Sequence, residues 1–190
     1  MEELKRSIAR THELPTAVLE DFVAQWEIVS FPKGSVLSVP EKTDNYLYFT
    51  ISGIQKAYYL VDGKQSIISF TQPNHFTCAP ESFLTQTASK YYFECIVDSY
   101  FYRLSYRKFV QQTSKHKAIQ DFLIKSLMGL VNNITERFIK QASFSIEEKY
   151  KDFMHGNAHL LNTVPHKDIA SYLGMNPTNF SKLFNNVLID

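Results

Sequence analysis

The histidines, carboxylates and cysteines are too scattered to build a reaction centre. A small barrel with a catalytic metal brings two or three histidines and a carboxylate together. The strand-rich part of this chain has His75 with Glu81 and no second histidine. His155 and His159 stand four apart, but Gly156-Asn157 interrupts the helix that would align them. Cys78 and Cys95 are the only cysteines and lack Cys-x-x-Cys spacing. That argues against a disulfide framework or thiolate cluster and suits a reducing compartment. No serine or cysteine nucleophile signature stands out. The expectation is a protein that is not an enzyme and uses no cofactor or metal. The chemistry that remains is recognition. Asn176, Thr178, Asn179, Ser181, Lys182 and Asn185 gather amides, hydroxyls and one ammonium in a short run. An asparagine amide pairs with adenine, and a lysine reaches a phosphate or a base edge.

Two short helices would present those side chains. The first is predicted over about Pro165 to Leu173, with Ile169 and Leu173 on its buried face and Ala170 small enough for a crossing helix. Gly174 follows where positive φ is cheap and the chain must turn. Asn176 can cap the second helix, and Pro177 takes its first position, where the missing N–H costs nothing. Phe180, Leu183 and Phe184 are predicted to face inward, leaving the polar residues towards a major groove. This is a helix-turn-helix pattern; a helical hairpin with a glycine turn and no DNA role is the plainer reading. The formal net charge of +1 weighs on the plainer side, because strong DNA binders carry a basic surplus. From Val164 to Asp190, Lys167 and Lys182 face Asp168 and Asp190, so further cations would come from Arg137, Lys140 and Lys149.

Upstream, Leu123, Leu127, Leu130, Ile134 and Phe138 form one helical stripe, with Ile119, Phe122 and Ile139 beside it. Such spacing serves a helix packed on its own domain or a two-helix dimer seam, and the motif downstream favours the seam. From about Glu27 to Tyr106 the pattern changes to strands rich in Tyr, Phe, Ile and Val. Asp62-Gly63 joins Gln55–Val61 to Lys64–Phe70 as a type I′ hairpin. Tyr91–Val97 and Tyr100–Leu104 read as a second pair around Asp98-Ser99. Many short antiparallel strands imply a sandwich or barrel. Val18, Leu19, Phe22, Val23 and Trp26 suggest a helix on its flank. With 190 residues, 44% of them hydrophobic, a folded chain of one or two domains is expected. The charged start Met1–Arg6 is unlike a signal peptide, and no run is long and apolar enough to span a bilayer, so the expected compartment is cytoplasmic.

The order of these parts resembles the family of the cyclic-AMP receptor protein and the fumarate-nitrate regulator (Crp/Fnr). The resemblance rests on Phe31–Gly34, Tyr48–Gly53, Asp62–Lys64, Leu104–Phe109 and Asp168–Gly174, and covers nearly the whole chain. The run from Ser145 to Gly174 is most similar to Bacteroidetes-type members. It implies an α+β chain. An N-terminal jelly-roll, cyclic-nucleotide-binding-like barrel would occupy 1–107, a long dimerisation helix 108–142 and a DNA-binding helix-turn-helix 143–190. It implies a bacterial, homodimeric transcription regulator whose partners are double-stranded DNA, a small effector and RNA polymerase, with no membrane. A regulator-derived interaction module that no longer binds DNA is the alternative. The family's nucleotide binders hold phosphate with an arginine followed by serine or threonine, after a glutamate on a short helix; here Glu81 is followed by Ser89-Lys90. Glu81, Ser89 and Lys90 are therefore the candidate effector pocket, and cyclic AMP is not the expected ligand. The N-terminal cysteine cluster of the iron–sulfur branch has no counterpart. On the second helix, Pro177-Thr178 and Lys182 stand where the base-reading arginine-glutamate pair and a further arginine would fall, so guanine reading by arginine is unavailable there.

Overall fold

The structure is a computed structural model, and it describes residues 1–186; positions 187–190 of the expected 143–190 segment lie outside the described residues. The chain divides into two units, Met1–Ala57 with Phe70–Leu130, and Tyr58–Ser69 with Val131 onward.

The first unit opens with α1 (Glu2–Thr11) and α2 (Thr16–Val23). Helix α1 is absent from the sequence-based expectation, although Leu4 and Ile8, one turn apart, are fully buried and Glu2 and Glu3 favour its first turn. These side chains join Phe22, Trp26, Phe49, Leu104, Ile119 and Phe122 in one core. Phe22 meets Trp26 and Phe122 edge to face at 5.9 and 6.4 Å.

The strands are β1 (Glu27–Phe31), β2 (Val36–Ser38), β3 (Tyr46–Ser52), β4 (Gln55–Val61), β5 (Lys64–Thr71), β6 (Phe76–Thr77), β7 (Tyr92–Cys95) and β8 (Ser99–Ser105). They form two four-stranded sheets, ordered β1-β8-β3-β6 and β2-β7-β4-β5. The expected closed barrel is thus an open sandwich, with edge strands left on both sheets. The β4–β5 hairpin is as expected: Asp62 and Gly63 both have positive φ, 50° and 74°, as a type I′ turn requires. The expected second hairpin is not formed. Strand β7 pairs with β2, whereas β8 pairs with β1 and β3. Neither Asp98 nor Ser99 has positive φ, so the link crosses between sheets instead of folding back. Under the β3–β4 turn, Thr50 Oγ1 donates to Gln55 Oε1 and Gln55 Nε2 donates to Ser99 Oγ, each at 3.0 Å. All three residues are buried, and each gains the partner that burial of a polar group demands.

Helix α3 (Pro80–Thr85) lies between the sheets in sequence, and α4 (Tyr106–Lys115) and α5 (Lys117–Ser143) follow the last strand. The helical pattern from residue 108 breaks at His116, which is extended. Asp21 gathers that junction, accepting from Lys115 at 2.6 Å and lying 3.4 Å from His116 Nε2. The Lys115 ammonium, then His116, hold its carboxyl below the ordinary carboxylate range.

The second unit contains α6 (Ile146–Asn157), a 3₁₀ turn (Ala158–Asn162), α7 (His166–Tyr172) and α8 (Pro177–Asn186). Ser145 and Glu148 form a capping box at the start of α6; Ser-x-x-Glu spells that start in the sequence. Its core is Tyr150, Phe153, Met154, Leu160, Val164, Ile169, Ala170, Leu173 and Phe180. No helix among the described residues is long and apolar enough to cross a membrane.

Candidate nucleic-acid interface and effector pocket

The three residues of the candidate effector pocket do not converge. Glu81, in the first turn of α3, pairs with Lys90 at 3.2 and 3.4 Å, and both side chains are exposed. Ser89 is buried. Its hydroxyl donates to the Tyr91 carbonyl and accepts from Ser38 Oγ, each at 3.1 Å. The interior beside it is aromatic: Phe31, Tyr48 and Phe101 meet at 5.5 to 6.2 Å. Burial pushes the Tyr48 phenol up to about 12, so it stays neutral. Burial likewise raises the Cys78 and Cys95 thiols, which keeps them protonated and poor as nucleophiles. Lys90 is left as a solvated ammonium already neutralised by Glu81.

The second unit arranges α7 and α8 around a tight turn. Gly174 has φ +68°, and a Cβ there would come 3.0 Å from Gln141 Oε1, so a side chain is disfavoured both by backbone and by space. Met175 N–H bonds back to the Ala170 carbonyl at 3.0 Å and closes the end of α7. Asn176 Oδ1 accepts from Asn179 N–H at 2.8 Å, capping α8. Phe180 is fully buried, while Phe184 is 42% exposed. The expected inward direction of Phe184 is therefore only partly met: its ring lies 4.8 Å from that of His166. Asn176, Thr178, Ser181, Lys182 and Asn185 are exposed and Asn179 is half-buried. Ser181 Oγ donates to the Pro177 carbonyl at 3.0 Å, so its hydroxyl hydrogen is used within the helix.

The cations divide into committed and open ones. Arg137 is turned inward, donating to the backbone carbonyls of Ile68 and Tyr172. Lys140 bonds both oxygens of Asp152, at 2.7 and 2.9 Å. Neither fits the expected role of a DNA cation. Lys167 and Lys182 are exposed and have no ion-pair partner among the described residues.

Helix α5 carries an uncovered apolar stripe. Ile124, Val131, Ile134 and Phe138 are 59, 53, 59 and 72% exposed. Leu123, which the spacing put on the same stripe, instead packs against the core of the first unit.

Residues 28–116 match the cyclic nucleotide-binding domain. The match runs from β1 to the residue that separates α4 from α5. Within that domain, Ser89-Lys90 stand where the resemblance calls for the phosphate-holding arginine and its neighbour. No curated protein matches the chain. Solved structures share the fold. FixK2 from Bradyrhizobium japonicum superposes with a TM-score of 0.72 at 15% identity, over 85% of this chain and 84% of that one. The regulator CLP of Xanthomonas campestris, described as c-di-GMP responsive, gives 0.66 at 14% identity over 91% of each chain. The catabolite activator protein of Thermus thermophilus gives 0.58 at 14%, over 92% and 84%.

Proposed function

We propose that this chain is a bacterial, Crp/Fnr-type transcription regulator that binds double-stranded DNA as a homodimer. Its parts are a sensor over 1–107, a dimerising helix over 108–142 and a helix-turn-helix over 143–190. The observation that carries this reading is α8, capped by Asn176 and anchored by Phe180, with Thr178, Lys182 and Asn185 left open to solvent. A helix held this way can enter a major groove. Lys182 then meets a phosphate or base edge, and Asn179 pairs with adenine. RNA polymerase is the partner such a regulator would engage once on DNA.

The dimer follows from α5. The open residues Ile124, Leu127, Val131, Ile134 and Phe138 step by three, four, three and four, the a/d spacing of a coiled coil. Ile124 and Val131 take a positions and Leu127 a d position, a choice that favours two parallel strands. Leu130 lies on the flank of this seam, 37% exposed. A two-fold axis along it would set two copies of α8 on an inverted-repeat site.

A mobility-shift titration at several salt concentrations tests the reading. The chain should bind DNA with a steep salt slope, and Lys182→Ala should flatten it by about one unit if the contact is to phosphate. Asn179→Ala should change which sequences are preferred. No binding at low salt would favour the interaction module, which the sparse open cations also fit. The effector is a small molecule other than cyclic AMP, because no arginine stands at the cassette. Calorimetry with cyclic AMP and cyclic GMP should give no heat of binding, and a micromolar affinity for either would refute this.

A further inference from the structure

Strand β5 ends its sheet and has a strand partner on one side only. The N–H and C=O groups along such an edge must be satisfied by something else. Here the helices of the second unit supply it. Ile67 N–H donates to Ser171 Oγ at 3.1 Å, and Ser171 Oγ donates to the Gln65 carbonyl at 3.3 Å. The α7 hydroxyl thus serves the edge as both acceptor and donor, as a neighbouring strand would. Arg137, on α5, donates to the carbonyl of Ile68 and, at 3.5 Å, to that of Ile67. Its guanidinium also donates to the Tyr172 carbonyl at 3.2 Å and lies over the Tyr172 ring, 4.2 Å from the centroid. Gln141, one turn further along α5, donates to the same Tyr172 carbonyl at 3.2 Å.

We infer that Arg137 and Ser171 are positioning residues that latch α7 to the β5 edge and so hold the α8 reading face in one orientation without any bound effector. The inference rests on the DNA-binding reading for its consequence, but the latch itself is a separate matter of hydrogen bonding. The partners of Arg137 are neutral carbonyls and a ring face, and its Nε is buried without a partner. A desolvated charge without a carboxylate is held loosely, so the latch is releasable. Because α8 is open while the latch is closed, the latched arrangement is the binding-competent one. Release would free the helix pair and make DNA binding pay for reordering it.

The test compares Ser171→Ala and Arg137→Gln in the full chain, with DNA selected by the unaltered protein. Amide exchange at Ile67 and through α7 should rise about tenfold or more in both variants. DNA affinity should fall about fivefold in Ser171→Ala and about tenfold in Arg137→Gln, with the salt slope unchanged. Ser171 is half-buried and outside the packed core, so Ser171→Ala decides the matter even if Arg137→Gln fails to fold. Unchanged exchange at Ile67 would overturn the latch, as would full affinity with Ile67 exchanging freely. A slope flattened by about one in Arg137→Gln would make that residue a phosphate contact instead. If the unaltered protein binds no DNA, the regulator reading falls alone, and faster exchange at Ile67 and α7 still upholds the latch.

Discussion

Val131→Glu should convert the protein from dimers to folded monomers. In the single chain Val131 is 53% exposed, so a carboxylate there meets water and the fold is undisturbed. In the proposed dimer it would sit at the seam opposite its own copy. Two like charges without partners would be desolvated together, a cost of about 3–5 kcal/mol for each uncompensated group. The dissociation constant should rise by at least about a hundredfold, which sedimentation at micromolar concentration reads directly. Leu123→Glu supplies the contrast. Leu123 packs on the core of its own unit, so that variant should lose thermal stability whatever its assembly state. A Val131→Glu protein that stays both folded and dimeric places the seam elsewhere.

Phe180→Ala should abolish the cooperative folding of the second unit. The ring is fully buried and lies 5.8 Å from Tyr150, 5.3 Å from His166 and 6.3 Å from Phe184. Removing such a ring costs about 3–5 kcal/mol in transfer and cavity terms. That is a large part of what a small unit has in reserve. Thermal melting followed by near-UV circular dichroism should lose one transition, and DNA binding should vanish at every salt concentration. Phe184→Ala, at a 42% exposed site, should shift the melt only slightly. A Phe180→Ala protein that melts as before and still binds DNA would show that this ring does not hold α8.

Local features were legible in the residues themselves. Asp62-Gly63 specified its hairpin because two positive φ angles in succession suit few residue pairs. Gly174, Asn176 and Pro177 specified a turn, a cap and a first helical position through interactions within a few residues of each other. Helix α1 was equally open to reading, through Leu4, Ile8 and the acidic first turn, but so short a signal is easily passed over. Strands β7 and β8 misled because adjacency in sequence suggests pairing, whereas the angles at Asp98-Ser99 send the chain to the other sheet.

By itself the sequence determined the element types, the two-helix motif at the C-terminal end and the lack of a phosphate-holding arginine at Ser89-Lys90. Each depends on residue identity or on neighbours a few positions away. Only the tertiary structure decided which face of α5 stays open, since helical period marks a stripe without saying what covers it; Leu123 was claimed by the core and Val131 was not. It also decided the fate of the cations. Arg137 and Lys140 are basic in any reading, but a long side chain bonds whatever acceptor the fold brings near. Those acceptors, the Ile68 and Tyr172 carbonyls and the Asp152 carboxylate, lie 12 to 69 positions away along the chain.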